Sequence, residues 1–280
     1  MAYQLWTSTL TGSRRKGTRV SDLRKLFETS ITADAIQEPL KYCIYGESAL
    51  SVKAELVRLD FDIAGIRASK DQPTVEFVRT ASLRNGNCEE VAKPIKAVDI
   101  ISESTPLVDV LSGLKERTYF FIQNGMHISG IITRADLQKP PIRILIFGVI
   151  SLLEMHLNYL IRRHYPNETW RAVLKQKRIS NAETILMRRK GRNEVIDLTD
   201  CLQFADIRDL VVASPKIRAH LGFRSEREAS ELLETIEEIR NKKADSQDIV
   251  SGTTWEKWIN ILSKVEAVIL RSDDLVEKEE

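Results

Sequence analysis

Cysteine is scarce in this 280-residue chain, and Cys43, Cys88 and Cys201 are widely separated, odd in number and outside any CxxC spacing. That pattern argues against a disulfide framework and against a structural zinc site. Histidine is scarcer relative to what catalysis would ask of it: His127, His156, His164 and His220 form no His-x-x-x-His pair. No serine nucleophile elbow and no glycine-rich phosphate loop is present either, so core or surface positions are the default for all four histidines. Charge of one sign is also missing. With 42 Lys and Arg against 40 Asp and Glu, the net charge is +2, and any nucleic-acid argument has to come from local clustering. Long apolar runs are absent: the strongest, residues 144–153, is closed off by Arg143 and Glu154 and falls short of the ~20 residues that span a bilayer. The first twenty residues hold no uninterrupted apolar stretch before Arg14-Arg15-Lys16, unlike a signal peptide. These absences lead to the expectation of a cytoplasmic protein with one deeply buried helix, no membrane span and no metal.

What is present suffices for packed domains. Hydrophobic residues make up 42% and charged residues 29%, near globular averages. The length exceeds one domain at about 100–200 residues each, which predicts two.

The first half alternates short extended runs with short helical ones, as small α/β modules do. Residues 41–45 read as a strand, 49–59 as a helix, 62–66 as a strand, and 75–78 alternate before 79–83. The order then recurs: 97–101 strand-like, 106–116 helical, 119–123 strand-like, and 127–132 a strand after Asn124-Gly125, a hairpin-turn signal. Two copies of one order predict an internal duplication. After Lys139-Pro140-Pro141, which breaks any helix beginning at Asp136, every segment reads as helix: 142–164, 170–189, 198–212, 225–244 and 254–270. Ser225 with Glu228 and Thr253 with Glu256 have capping-box spacing, and short connections predict a helical bundle.

The second copy closes on Gly130-Ile131-Ile132-Thr133-Arg134-Ala135-Asp136-Leu137. A strand, a Thr and a helix start with an acid three residues on can hold a ribose diol at Asp136 and a phosphate at Thr133 and the helix start. The same spacing also fits a plain capping box. Here the chain resembles a tandem pair of cystathionine-β-synthase (CBS) domains over roughly residues 24–140. The match runs from Asp99-Ile100-Ile101-Ser102-Glu103-Ser104-Thr105-Pro106-Leu107 to Leu137. The resemblance implies two copies packed about a pseudo-twofold axis around a cleft for an adenosine nucleotide (AMP, ADP or ATP). It places Thr133, Arg134 and Asp136 at the phosphate and ribose positions, and Ile100 and Ile101 near the adenine-facing strand. The first copy departs from the pattern. Glu76 stands at the Gly position, Arg79 at the Thr position and Ser82 at the Asp position, so a ribose-binding carboxylate is missing there. Arg79 reads either as a phosphate contact or as a solvated edge charge.

In the second half, Asn241 and Asp245 lie one helical turn apart with Arg240 adjacent. One reading is a charged helix end in which Arg240 pairs with Glu237. The segment also resembles the motif of the HEPN families, helical domains of RNA-cleaving toxins and antiviral systems, with an Arg, a polar residue and a His after roughly four to six residues. Arg240 and Asn241 match, and Asp245 stands where the His would be. A carboxylate is a poor proton donor near neutral pH and repels phosphate. Glu154 or His156 would then have to supply what Asp245 cannot. Between residues 162 and 192 the cations Arg162, Arg163, Arg171, Lys175, Lys177, Arg178, Arg188, Arg189, Lys190 and Arg192 face only Glu168 and Glu183 among acids up to 192. Such a stripe suits RNA, or pairing with the acidic helix 226–238 within or across a homodimer.

The expectation is therefore an α/β CBS-type pair followed by an all-α bundle. It divides into an extension (1–23), two repeats (24–92 and 93–140), a HEPN-like domain (141–272) and a tail (273–280). The expected function is nucleotide-responsive regulation of the helical part as a homodimer, with a metal-independent ribonuclease and a non-catalytic scaffold as alternatives.

Overall fold

The computed structural model describes residues 22, 25, 30–194, 196–244 and 255–277, and falls into two compact units: Phe27–Pro141, and Ile142–Glu280 with Met1–Leu26.

The α/β unit is built from two copies of one motif. In the first, β2 (Tyr42–Ile44) leads into α1 (Ala49–Arg58), then β3 (Ile63–Arg67) and β4 (Glu76–Arg79). In the second, β6 (Ile100–Ser102), α2 (Leu107–Gly113), β7 (Tyr119–Asn124) and β8 (His127–Thr133) repeat that order. Each copy pairs its first two strands in parallel and its last two antiparallel, and the registers coincide: Ile63 stands opposite Arg79 as Tyr119 stands opposite Thr133.

Each sheet is completed by a two-residue strand that precedes the other copy. β1 (Glu38–Pro39) runs antiparallel to β8, with Pro39 opposite Gly130, and β5 (Lys93–Pro94) runs antiparallel to β4, with Pro94 opposite Glu76. Isolated bridges follow the same symmetry, Thr32 to Pro106 and Asn87 to Ser48. The sheet orders are β1-β8-β7-β6 and β2-β3-β4-β5. Both exchanged strands sit at sheet edges, where proline's missing N–H is tolerated. A linear division at residue 92 does not capture this exchange.

Alternation along the strands sorts side chains into two cores. Ala64, Ile66 and Val78 join Val52 and Leu56 of α1, while Ile63 and Phe77 face Phe121 and Ile131 of the second sheet. Some boundaries differ from the sequence reading. Residues 97–99 form a 3₁₀ turn rather than strand, and the hairpin centres on Gly125-Met126, since Asn124 pairs with His127 and Gly125 takes the positive φ of 57°.

All described elements of the second unit are helical. They are α3 (Pro140–His164), α4 (Gln176–Lys190), α5 (Phe204–Ala213), α6 (Pro215–His220), α7 (Glu226–Ala244) and α8 (Trp255–Glu277). α3 is longer than its apolar run suggested. By length and composition it could cross a membrane, with a window of mean hydropathy 1.8, of which 56% is buried. Residues 166–172 form a separate 3₁₀ stretch kinked at Asn167 and Glu168, so α4 starts later than the sequence pattern implied. Pro215 at the first turn, with Ser214 capping Ile217 N–H, separates α6 from α5.

Candidate functional site

In the α/β unit the closing motif of the second copy forms a tight cap. Thr133 ends β8, and the N–H of Ala135 donates to its Oγ1 at 3.3 Å. The N–H and Oγ1 of Thr133 donate to Asp136 Oδ2 at 2.7 and 3.1 Å, completing a capping box at the 3₁₀ turn Arg134–Gln138. Asp136 is only 7% exposed. Its other oxygen, Oδ1, receives Lys139 Nζ at 2.8 Å. That ammonium also reaches Glu38 Oε1 at 2.5 Å and donates to the carbonyl of Ile36 at 2.5 Å. Burial works against the charge of Lys139, but the hydrogen bonds it donates to Asp136 and Glu38 outweigh it and hold its pKa above the ordinary lysine value. The capping reading of Thr133 and Asp136 thus describes the geometry, with a lysine added that the sequence reading did not include.

Arg134 is turned elsewhere. Its guanidinium donates to the carbonyls of Leu114, Lys115 and Arg117, each at 3.2 Å, beyond the C-terminus of α2. Ile100 and Ile101 are half-buried on β6, and Ile100 packs against the core between the sheets. Arg79, at the Thr position of the first copy, lies over the Tyr119 ring at 5.2 Å, and Tyr119 is the cross-strand partner of Thr133. Tyr119, Phe77 and Phe121 form a ring cluster with centroids 5.3 to 5.8 Å apart. An exposed cation thus lies over an aromatic ring whose cross-strand neighbour, Thr133, opens the capped carboxylate turn. Ser82, at the Asp position, lies in a 3₁₀ turn without a side-chain cap.

The helical unit brings together residues far apart in sequence. Arg240 of α7 does not pair with Glu237, which instead accepts Arg208 at 2.7 Å. Arg240 Nε lies 2.6 Å from Glu154 Oε1 on α3, a close ion-pair contact outside hydrogen-bond alignment, with side chains 47% and 26% exposed respectively. Burial raises the pKa of Glu154, and Arg240 opposes that shift. His156 is fully buried, its Nε2 3.6 Å from Asp273 Oδ1. Asn241 is exposed, and Asp245 lies outside the described residues.

Sequence reading also missed a histidine pair. His164 Nε2 and His220 Nδ1, at the ends of α3 and α6, are 2.9 Å apart. Burial, then His220, Arg163 and Lys216, lower the pKa of His164. No sequence spacing links residues that far apart.

Four arginines of the basic stripe pair with acids close by rather than with α7. Arg162 binds Asp197 at 2.7 Å and Asp200, Arg171 binds Glu168 and Glu183, Arg178 binds Asp206 and Asp209, and Arg189 binds Glu194. Lys175, Lys177, Arg188, Lys190 and Arg192 stay exposed without an ion-pair partner among the described residues. No group of three or more metal-ligating side chains occurs among the described residues.

No family model and no curated protein matches the chain. Solved structures that resemble its N-terminal part are CBS-domain proteins. The CBS domain pair of protein MJ0100, in complex with 5′-methylthioadenosine and S-adenosyl-L-methionine, is 14% identical, covers 39% of this chain and 93% of its own, and has a TM-score of 0.32. The CBS domain of a bacterial CNNM/CorC-family Mg2+ transporter, in complex with ATP, is 13% identical, covers 41% of this chain and 89% of its own, and has a TM-score of 0.33. Protein MJ1004 from Methanocaldococcus jannaschii is 11% identical, covers 86% of this chain and 99% of its own, and has a TM-score of 0.37.

Proposed function

We propose that this chain is a cytoplasmic regulator whose residues 24–140 bind an adenosine nucleotide (AMP, ADP or ATP) and control a helical effector, residues 141–272. The observation that carries this reading is the meeting of Arg79 and the Thr133 turn at Tyr119. Arg79, which has no ion-pair partner among the described residues, lies over Tyr119, across the strand pair from Thr133. A guanidinium suits a phosphate, an aromatic face suits a base, and Asp136 suits a ribose diol. In this reading ribose hydroxyls donate to Asp136 Oδ1 in place of Lys139. That exchange releases Ile36 and Glu38 from the same ammonium, immediately before Pro140 opens α3. A ligand that favours the released arrangement shifts the equilibrium by its difference in affinity for the two arrangements.

Replacing Arg79 tests the phosphate assignment, because this side chain closes no core. By calorimetry, Arg79→Gln should weaken ATP binding by roughly tenfold or more, the worth of one charge-assisted contact, and leave adenosine binding unchanged. Equal effects on both ligands would remove Arg79 from the phosphate position.

The Glu154–Arg240 contact favours one second reading, a metal-independent ribonuclease of HEPN type acting as a dimer, with RNA held by the exposed cations of residues 175–192. Under it Arg240→Ala abolishes RNA cleavage by the purified chain, and persisting cleavage rules it out.

A further inference from the structure

Between α7 and α8 lies an open groove of about 1190 Å³. Its two walls carry opposite charge. Glu228, Glu231, Glu234 and Glu238 line the α7 side, and Lys257, Lys264 and Arg271, spaced by sevens, line the α8 side; all seven are exposed. The floor is apolar, with Ile261 and Val268 buried and Leu232 half-buried. The helices run antiparallel, because Arg271 near the end of α8 donates to the carbonyl of Leu221 just before α7 begins. At about 1.5 Å of rise per residue, Glu228 near Arg271 puts Glu234 about level with Lys264 and Glu238 between Lys264 and Lys257. Glu238 and Lys264 have no ion-pair partner among the described residues, and the pair Arg227–Glu231 stays on one helix.

We propose that a second copy of this chain covers the groove, and that the charge pattern fixes how. Two arrangements with a twofold axis in the contact plane bring groove to groove. An axis perpendicular to the helices sets each α7 against the partner's α7, acid against acid, and each α8 against the partner's α8, base against base. An axis parallel to the helices sets each α7 against the partner's α8 and keeps every residue at its own height. Glu228 then lies near Arg271 of the partner subunit, Glu234 near the partner's Lys264, and Glu238 between the partner's Lys264 and the partner's Lys257. Like charges set face to face are costly and opposite charges speed and orient docking, so the parallel axis is selected. This inference is independent of the nucleotide reading, since it uses residues of the helical unit alone.

Sedimentation of the full chain tests it. The wild type should be a dimer that weakens as NaCl rises. Reversing one wall (Glu231→Lys with Glu234→Lys and Glu238→Lys) or the other (Lys257→Glu with Lys264→Glu) should raise the dissociation constant by at least about tenfold. An equimolar mixture of the two reversed chains should recover a mixed dimer, and so should one chain carrying both reversals. The salt series needs no variant, and recovery in the mixture separates lost complementarity from lost folding. A monomeric wild type overturns the proposal, whether its groove stays open or is covered by its own N-terminal residues. So does a dimer that both reversals leave intact, or one that salt strengthens.

Discussion

Cys43 and Cys88, which look unrelated in sequence, share the core under α1, and neither forms a disulfide. Burial, reinforced by the neighbouring Cys88, pushes the Cys43 thiol up to about 12 from the ordinary 9.0. The folded chain therefore binds this proton more tightly than the unfolded one. Stability from this group is complete below pH 9 and declines as pH rises from there toward about 12. Denaturant titrations should show the alkaline loss in the wild type and a flatter profile in Cys43→Ala; identical slopes above pH 9 would contradict the assignment. The same two thiols should resist alkylation in the native state, since the thiolate is the reacting form.

At the scale of elements, the exchanged strands explain a glycine that the sequence reading identified only by resemblance. A Cβ on Gly130 would lie 2.0 Å from Gln37 Oε1 and 3.0 Å from the carbonyl of Glu38, so any side chain there crowds the approach of β1. Gly130→Val should destabilise the fold by about 1–3 kcal/mol in urea titrations, as overpacking does; an unchanged midpoint would mean that β1 does not sit on β8. In the helices, Arg162 lies largely buried between Asp197 and Asp200. Arg162→Ala leaves two carboxylates without their cation and should cost about 3–5 kcal/mol by the same measurement, against near zero for a residue that only faces solvent and RNA.

These elements also mark what was legible. The duplicated β-α-β-β order could be read because helices and strands have different periods, and so could the turn at Thr133-x-x-Asp136. β1 and β5 could not, because two residues ending in proline carry no periodicity. Resemblance groups Arg240 and Glu154 in one candidate site, but Lys139 on Asp136 and His164 on His220 could not be assigned, since only the folded chain sets these partners. Partners of the basic stripe were hidden for a related reason: Asp197, Asp200, Asp206 and Asp209 follow it in sequence, and folding turns them back onto Arg162 and Arg178.

At the scale of the whole molecule, one continuous helix, α3, starts one residue after Lys139 and carries the chain from the strand-exchanged α/β pair into the helices. The chain from Asp136 through Lys139 to Pro140 is thus the shortest covalent route from the proposed ligand position to the helical unit. Calorimetric titration of the full chain with AMP, ADP and ATP tests the central claim most directly. At least one of them should bind saturably, with ATP losing affinity in Arg79→Gln. A folded wild-type chain that gives no binding heat with any of the three, and no change in melting temperature, would contradict it.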